Sequence, residues 1–233
     1  MSEETKTEKA DWKVWWEQHA DPESFLQEQL PRTENVRTIV YAMMKNLVER
    51  GGIILDVGCG PAVDYEAIRN MDFRWTGIDM TLKFVEYVKK KYNKDADIRL
   101  MDAERIWFKR QSFNLTYAKD LFEHLPPDKW QKVVKEMWRV SKDYMIIAFF
   151  RPPAGEPTEY RIVTEEDNAE TCGVYSNHYN KEEWLEFLRD LPQAQSVSIK
   201  ESIVYKKRWA RPKGYSIWLI KRRKKDEDDD PLE

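Results

Sequence analysis

The chain has 233 residues, 41% of them hydrophobic and 35% charged, with a formal net charge of −3. This is enough apolar material for one domain with a full core, and the near-balance of charge excludes a wholly basic nucleic-acid binder. The longest apolar run, YMIIAFF at 144–150, is too short to cross a bilayer, and the opening MSEETKTEKADWK lacks the apolar stretch a signal peptide needs.

In chain order, Trp12, Trp15, Trp16 and His19 recur at i, i+3, i+4, i+7, one face of a short helix that Asp11 can cap. Residues 1–35 read as a helical cap in front of the main domain. Val36, Ile39, Val40, Met43 and Leu47 predict a second helix, closed by Gly51-Gly52. Strands are predicted at 53–57, 74–78, 97–101, 113–118 and 144–150. Helical patterns fall between several of them, one through Thr81, Phe84, Val88 and Tyr92 and another through Trp130, Val133, Val134, Met137 and Val140. Strands alternating with helices imply parallel pairing through right-handed crossovers, hence an α/β sandwich over 36–220.

Residues 151–178 lose the pattern in a Pro-, Glu- and Thr-rich segment, expected to be a functional loop. Asn180 and Glu183 then predict a capped helix with Trp184, Phe187, Leu188 and Leu191 inward. Two late strands near 196–205 and 215–220 predict an antiparallel edge hairpin. The end, 221–233, is a charge block expected to be disordered. Cys59 and Cys172, the two cysteines, are not in a metal-spaced pair, so reduced thiols, a cytoplasmic location and no metal are expected.

The stretch IILDVGCGPAVDY at 53–65 carries the chemistry. A phosphate-binding P-loop needs Lys-Ser or Lys-Thr after its last glycine, and neither follows Gly60. A dinucleotide fingerprint would put its third small residue at Val63, whose side chain obstructs the close helix–strand contact that glycine permits. What remains is an acid-x-G-x-G-x-small loop made by Asp56, Gly58, Gly60 and Ala62. Further acids end the second and third strands, Asp79 and Asp102, the latter beside Ala103. The fourth strand runs through Lys119 into DLFEHLPP.

Together these positions resemble the class I S-adenosylmethionine-dependent methyltransferases, in their small-molecule branch. The resemblance implies a Rossmann-like, doubly wound, mainly parallel seven-stranded sheet with helices on both faces and S-adenosylmethionine as cofactor. It implies that Asp56, Gly58 and Gly60 form the cofactor loop, that Asp79 with Met80 meets the ribose, and that Asp102 and Ala103 meet the adenine. Lys119 departs from the uncharged residue expected near the sulfonium; it reads as a salt-bridged lysine or as a contact to an anionic acceptor. An acid-lined rim also suits a nucleoside that bears hydroxyls and an amine but no phosphate, because phosphates are repelled there.

A methyl acceptor that is a hydroxyl wants a general base, and His124 and His178 are the candidate catalytic histidines. His124 can equally cap or pack at a helix start, while His178 stands in the 151–178 segment, a candidate acceptor lid. The absence of an Asn/Asp-Pro-Pro-aromatic stretch after the fourth strand argues against an adenine-N6 or cytosine-N4 base methylase. A basic run at 206–213 opens the alternative of an RNA or protein acceptor, but Asp226 to Asp230 follow the second basic run and blunt attraction to phosphate. A small-molecule acceptor therefore ranks first, with no membrane partner; a catalytically silent cofactor-binding subunit is the remaining alternative.

Overall fold

Residues 12–93, 95–164, 173–204 and 213–224 are described by a computed structural model. The order is α1 (Trp12–His19), α2 (Pro22–Arg32), α3 (Glu34–Leu47), β1 (Ile53–Val57), α4 (Tyr65–Asn70), β2 (Arg74–Asp79), α5 (Leu82–Lys91), β3 (Asp97–Leu100) and β4 (Phe113–Lys119). A 3-10 turn (Phe122–His124), α6 (Trp130–Val140), β5 (Ser141–Phe149), α7 (Lys181–Arg189), β6 (Ala194–Val204) and β7 (Lys213–Arg222) complete it. One seven-stranded sheet runs β3-β2-β1-β4-β5-β7-β6. Its first five strands are parallel, whereas β7 is antiparallel to both β5 and β6. The expected α/β sheet and its antiparallel end are present, with β6 as the edge strand and β7 enclosed between β5 and β6.

The apolar run in β5 follows from burial on both faces, as parallel sheets require. Met145, Ile147 and Phe149 point to one core, with α6 and α7, while Ile146 and Ala148 point to the other, with α3, α4 and α5. In α6, Trp130, Val133, Val134, Met137, Trp138 and Val140 are all buried, the inward stripe its spacing predicted. Trp184 of α7 is fully buried and stacks on Trp130 at 4.3 Å. Asn180 caps α7 by accepting from the Glu183 amide at 2.9 Å, but the Glu183 carboxylate is engaged by Thr158 instead of returning to the cap.

Three expectations are corrected. Helix α2 was not foreseen: Asp21 caps it through the Glu23 and Ser24 amides and Pro22 starts it, while only Leu26 is buried, so its apolar stripe is faint. Helix α3 ends at Leu47 with Val48 extended, before the two glycines; Gly51, at φ 79°, instead turns the chain into β1. The 151–178 segment is not patternless where it is described. Bridges Glu159↔His178 and Ile162↔Tyr175 make an antiparallel arm whose inner side, Val174 to Asn177, is buried. Asp11, Cys172, residues 206–212 of the basic run and the tail from 225 lie outside the described residues. Among the described residues no helix is long and apolar enough to cross a membrane.

Candidate active site

Parallel strands bring their C-terminal ends to one edge of the sheet, so residues distant in sequence converge there. Asp56 comes from β1, Asp79 from β2, Asp102 from the end of β3, and Lys119 with Asp120 from β4. They line one cleft that opens to solvent.

The glycine loop is built around Asp79. The Gly60 amide donates to Asp79 Oδ2 and the Thr81 amide to Oδ1, each at 2.8 Å. Gly58 sits at φ 68°, a backbone conformation that favours glycine, and a Cβ there would also crowd the tip of the Leu121 side chain. Gly77 plays a similar part in β2. The Trp75 ring folds over it, at 2.2 Å from where a Cβ would stand, and so brings its Nε1 to donate to Asp56 Oδ2 at 3.2 Å. Gly58, Gly60, Met80 and Ala103 all border the cleft.

Burial dominates the electrostatics. It pushes the Asp56 carboxyl up to about 8, helped by the neighbouring charge of Asp64 and opposed by the Trp75 hydrogen bond. Asp79 is also raised by burial, against the pull of its two backbone donors. At Asp102 burial is outweighed by the Lys13 ammonium, 2.5 Å from Oδ2, and by the Glu104 amide, so its carboxyl lies below the usual range. Burial would lower Lys119, but its ion pair with Asp120 at 3.2 Å raises it on balance. Lys119 is therefore the salt-bridged lysine of the two sequence readings, and it also borders the cleft.

His124 and His178 part company. The His124 ring borders the cleft, lies edge-on to Trp16 at 5.4 Å and has Nδ1 2.7 Å from the Tyr175 carbonyl. A carbonyl only accepts, so Nδ1 carries the proton and Nε2 of the neutral ring keeps its lone pair. Burial lowers its pKa and so favours that neutral form. His178 is exposed and does not border the cleft; its Nε2 accepts from Arg151 Nη1 at 2.6 Å. The base expected at 178 is thus spent on holding an arginine.

Three participants, Asp64, Asp120 and Phe25, were not singled out from the sequence. Asp64 accepts from Tyr41 at 2.5 Å and faces Asp56. Asp120 adopts φ 56°, accepts from Lys119 and Tyr215, and keeps a buried Oδ1 without a partner among the described residues. A non-glycine residue held there marks strain that the surroundings must impose. Trp16 and Phe25, from the N-terminal helices, provide apolar walls. Asp120 had a faint signal in its position one residue after the lysine that ends β4; the other two had none.

The site suits a cationic nucleoside better than a phosphorylated one. Asp64, Asp79, Asp102 and Asp120 border it, while Lys119, its cation among the described residues, is already paired. Residues 54–143 match the family model for a methyltransferase domain. No curated protein matches the chain in sequence. Among solved structures, the chain is similar to magnesium protoporphyrin IX methyltransferase from Synechocystis PCC 6803 with bound S-adenosylhomocysteine, at 13% identity, TM-score 0.65, and 91% and 100% coverage of the two chains. It is also similar to the putative methyltransferase complexed with the Trm112 methyltransferase activator of Haloferax volcanii, at 15% identity, TM-score 0.64, and coverage of 91% and 97%. A third is 1,6-didemethyltoxoflavin-N1-methyltransferase from Burkholderia thailandensis, at 13% identity, TM-score 0.57, and coverage of 87% and 91%. Residues 54–143 are thus those of a methyltransferase domain, carried on a fold shared with structures that bind S-adenosylhomocysteine.

Proposed function

We propose that this enzyme methylates an oxygen or nitrogen of a small-molecule acceptor. The observation that carries the reading is the enclosure of the cleft. Trp12 and Trp16 form one side, and His124, backed by the Tyr175 carbonyl of the 159–178 arm, forms another. A site walled in this way suits a compact acceptor, with the arm serving as its lid.

S-adenosylmethionine supplies an activated methyl group on a sulfonium, so the protein's task is largely positioning. In this reading Asp79, already fixed by the Gly60 and Thr81 amides, takes the ribose hydroxyls on its remaining lone pairs, with Met80 beside it. Asp102 and Ala103 receive the adenine. The acids around Asp56 favour a cation near the glycine loop, and Lys119 stays tied to Asp120. His124 Nε2 is the base that takes the proton from a hydroxyl acceptor, while Leu121 and Trp16 keep water out. His178 has no place in this scheme as a base.

Two structural relatives are named as enzymes acting on a porphyrin and on a toxoflavin precursor, which supports the small-acceptor reading. A second reading, an enzyme that works with an activator subunit or on a macromolecule, is favoured by the relative crystallised with Trm112. The test begins with ligand stabilisation. S-adenosylhomocysteine is expected to raise the melting temperature with concentration while NAD and ATP do not. Transfer of labelled methyl into the small-molecule fraction of a cell extract is then expected. Label appearing only in RNA or protein would reverse the ranking.

A further inference from the structure

Outside the cleft's lining, on the far side of His124, the surroundings turn from acidic to basic. Phe150, just past β5, lies 5.5 Å from the His124 ring at 30°. Two guanidinium groups from different elements converge on that phenyl ring: Arg32, the last residue of α2, at 5.6 Å, and Arg151 at 5.7 Å. Both charges are felt at His124, and that of Arg32 also at Tyr215. Among the described residues neither guanidinium has a carboxylate within ion-pair distance.

Two like charges gathered on one ring repel each other, and the structure holds them there with little local compensation. Arg151 is fixed through Nη1 on His178 Nε2, and its own amide donates to Glu123 Oε1 at 3.2 Å. Burial and the charge of Asp120 push the Glu123 carboxyl up to about 8, which weakens its compensation of the arginines. Glu123 and then, from the arm, Glu159 are the acids that act on Arg151, while the charges of Arg161 and Arg32 act against it. Unused forked donors beside an aromatic plane match a planar oxyanion, which each guanidinium can grip through two parallel hydrogen bonds.

We propose that Arg32 and Arg151, set around Phe150 next to His124, form a binding site for a carboxylate carried by the methyl acceptor. This inference rests on the reading of the cleft as a methyl-transfer site for small molecules, and it names the acceptor's class: a small carboxylic acid whose reactive atom faces His124. A carboxylate is preferred over a phosphate because the charges of Glu159, felt at Arg151, and Asp120, felt at His124, repel a dianion about twice as strongly as a monoanion. His178 is, on this view, a positioning residue for Arg151.

The experiment uses the full chain saturated with S-adenosylhomocysteine and ligand-observed NMR. The probes are benzoate, phenylacetate and 4-hydroxybenzoate, the primary amide of each, and phenyl phosphate. Acids are expected to bind and their amides not. Arg32→Gln and Arg151→Gln are each expected to weaken acid binding at least tenfold, with S-adenosylhomocysteine affinity checking that both variants fold. His178→Phe is expected to weaken acid binding, and His178→Gln to restore part of it by again accepting from Arg151. Amides binding as well as acids, phenyl phosphate binding better, no acid binding at all, or variants that retain acid binding would each overturn the proposal. Failure of S-adenosylhomocysteine itself to bind would remove the underlying site reading as well; its binding without acid preference removes this inference alone.

Discussion

The amide of Gly60 donates to Asp79 Oδ2 at 2.8 Å, which ties the glycine loop to the acid that ends β2. In the proposed reading, removing Asp79 has two effects: the ligand loses an acceptor and the loop loses its anchor. Hydrogen bonds to a charged group contribute about 1.5–3 kcal/mol each. Asp79→Ala is expected to weaken S-adenosylhomocysteine binding by at least tenfold in calorimetry, with Asp79→Asn intermediate. Unchanged affinity in the alanine variant would show that the ribose is held elsewhere.

His124 offers a test by pH. Burial lowers its pKa from the ordinary histidine value, so the neutral, basic form prevails at neutral pH. With a hydroxyl acceptor, kcat is expected to fall on the acid side only below the usual histidine range. Replacing His124 with Gln should lower kcat by about 10²–10⁴-fold, the usual contribution of a positioned base, with little change in cofactor affinity. The acid limb should vanish with it. A limb that persists in His124→Gln would assign the base to another group.

Glu123 ties stability to pH. Its carboxyl is raised from 4.5 to about 8, so the folded chain keeps a proton that the unfolded chain releases over that interval. The resulting stability is present in full below 4.5 and is lost as pH rises through about 8. Glu123→Gln keeps an oxygen to accept from the Phe150 and Arg151 amides but cannot ionise. Its urea midpoint is expected to gain on the native chain's as pH rises across this window. Asp56, also raised to about 8, leaves a residual slope of the same sign in the variant. Parallel midpoints for the two proteins would mean that Glu123 is ionised in the fold.

Much of this site was legible because its geometry is simple. A parallel strand ends near where its apolar run ends, so Asp79 and Asp102 could be placed at strand ends, and the resemblance of the joint pattern to a known family implied that they meet the Asp56 loop. What stayed hidden depends on distant contacts. The left-handed backbone of Asp120 is imposed by its surroundings, including the hydrogen bond from its amide to the Ala148 carbonyl of β5. The 159–178 arm is held by pairing between its two described segments, such as Val163 with Val174, and neither segment carries a period long enough to read. For the same reason the fate of His178 was invisible: only the arm's register sets it against Arg151. Helix α2 escaped because a single buried residue gives no stripe.

Helix α1 places Trp12 and Trp16 along the cleft, yet none of its residues is buried. Its polar ties include Lys13 to Asp102 and the Glu17 carboxylate accepting from the Leu82 amide at 2.8 Å. Such exposed ties are individually weak, so this helix belongs to the least stable part of the fold. Salt that loosens Lys13 from Asp102 is therefore expected to unfasten this helix first, and hydrogen exchange of its amides should speed up with ionic strength before that of the strands behind it.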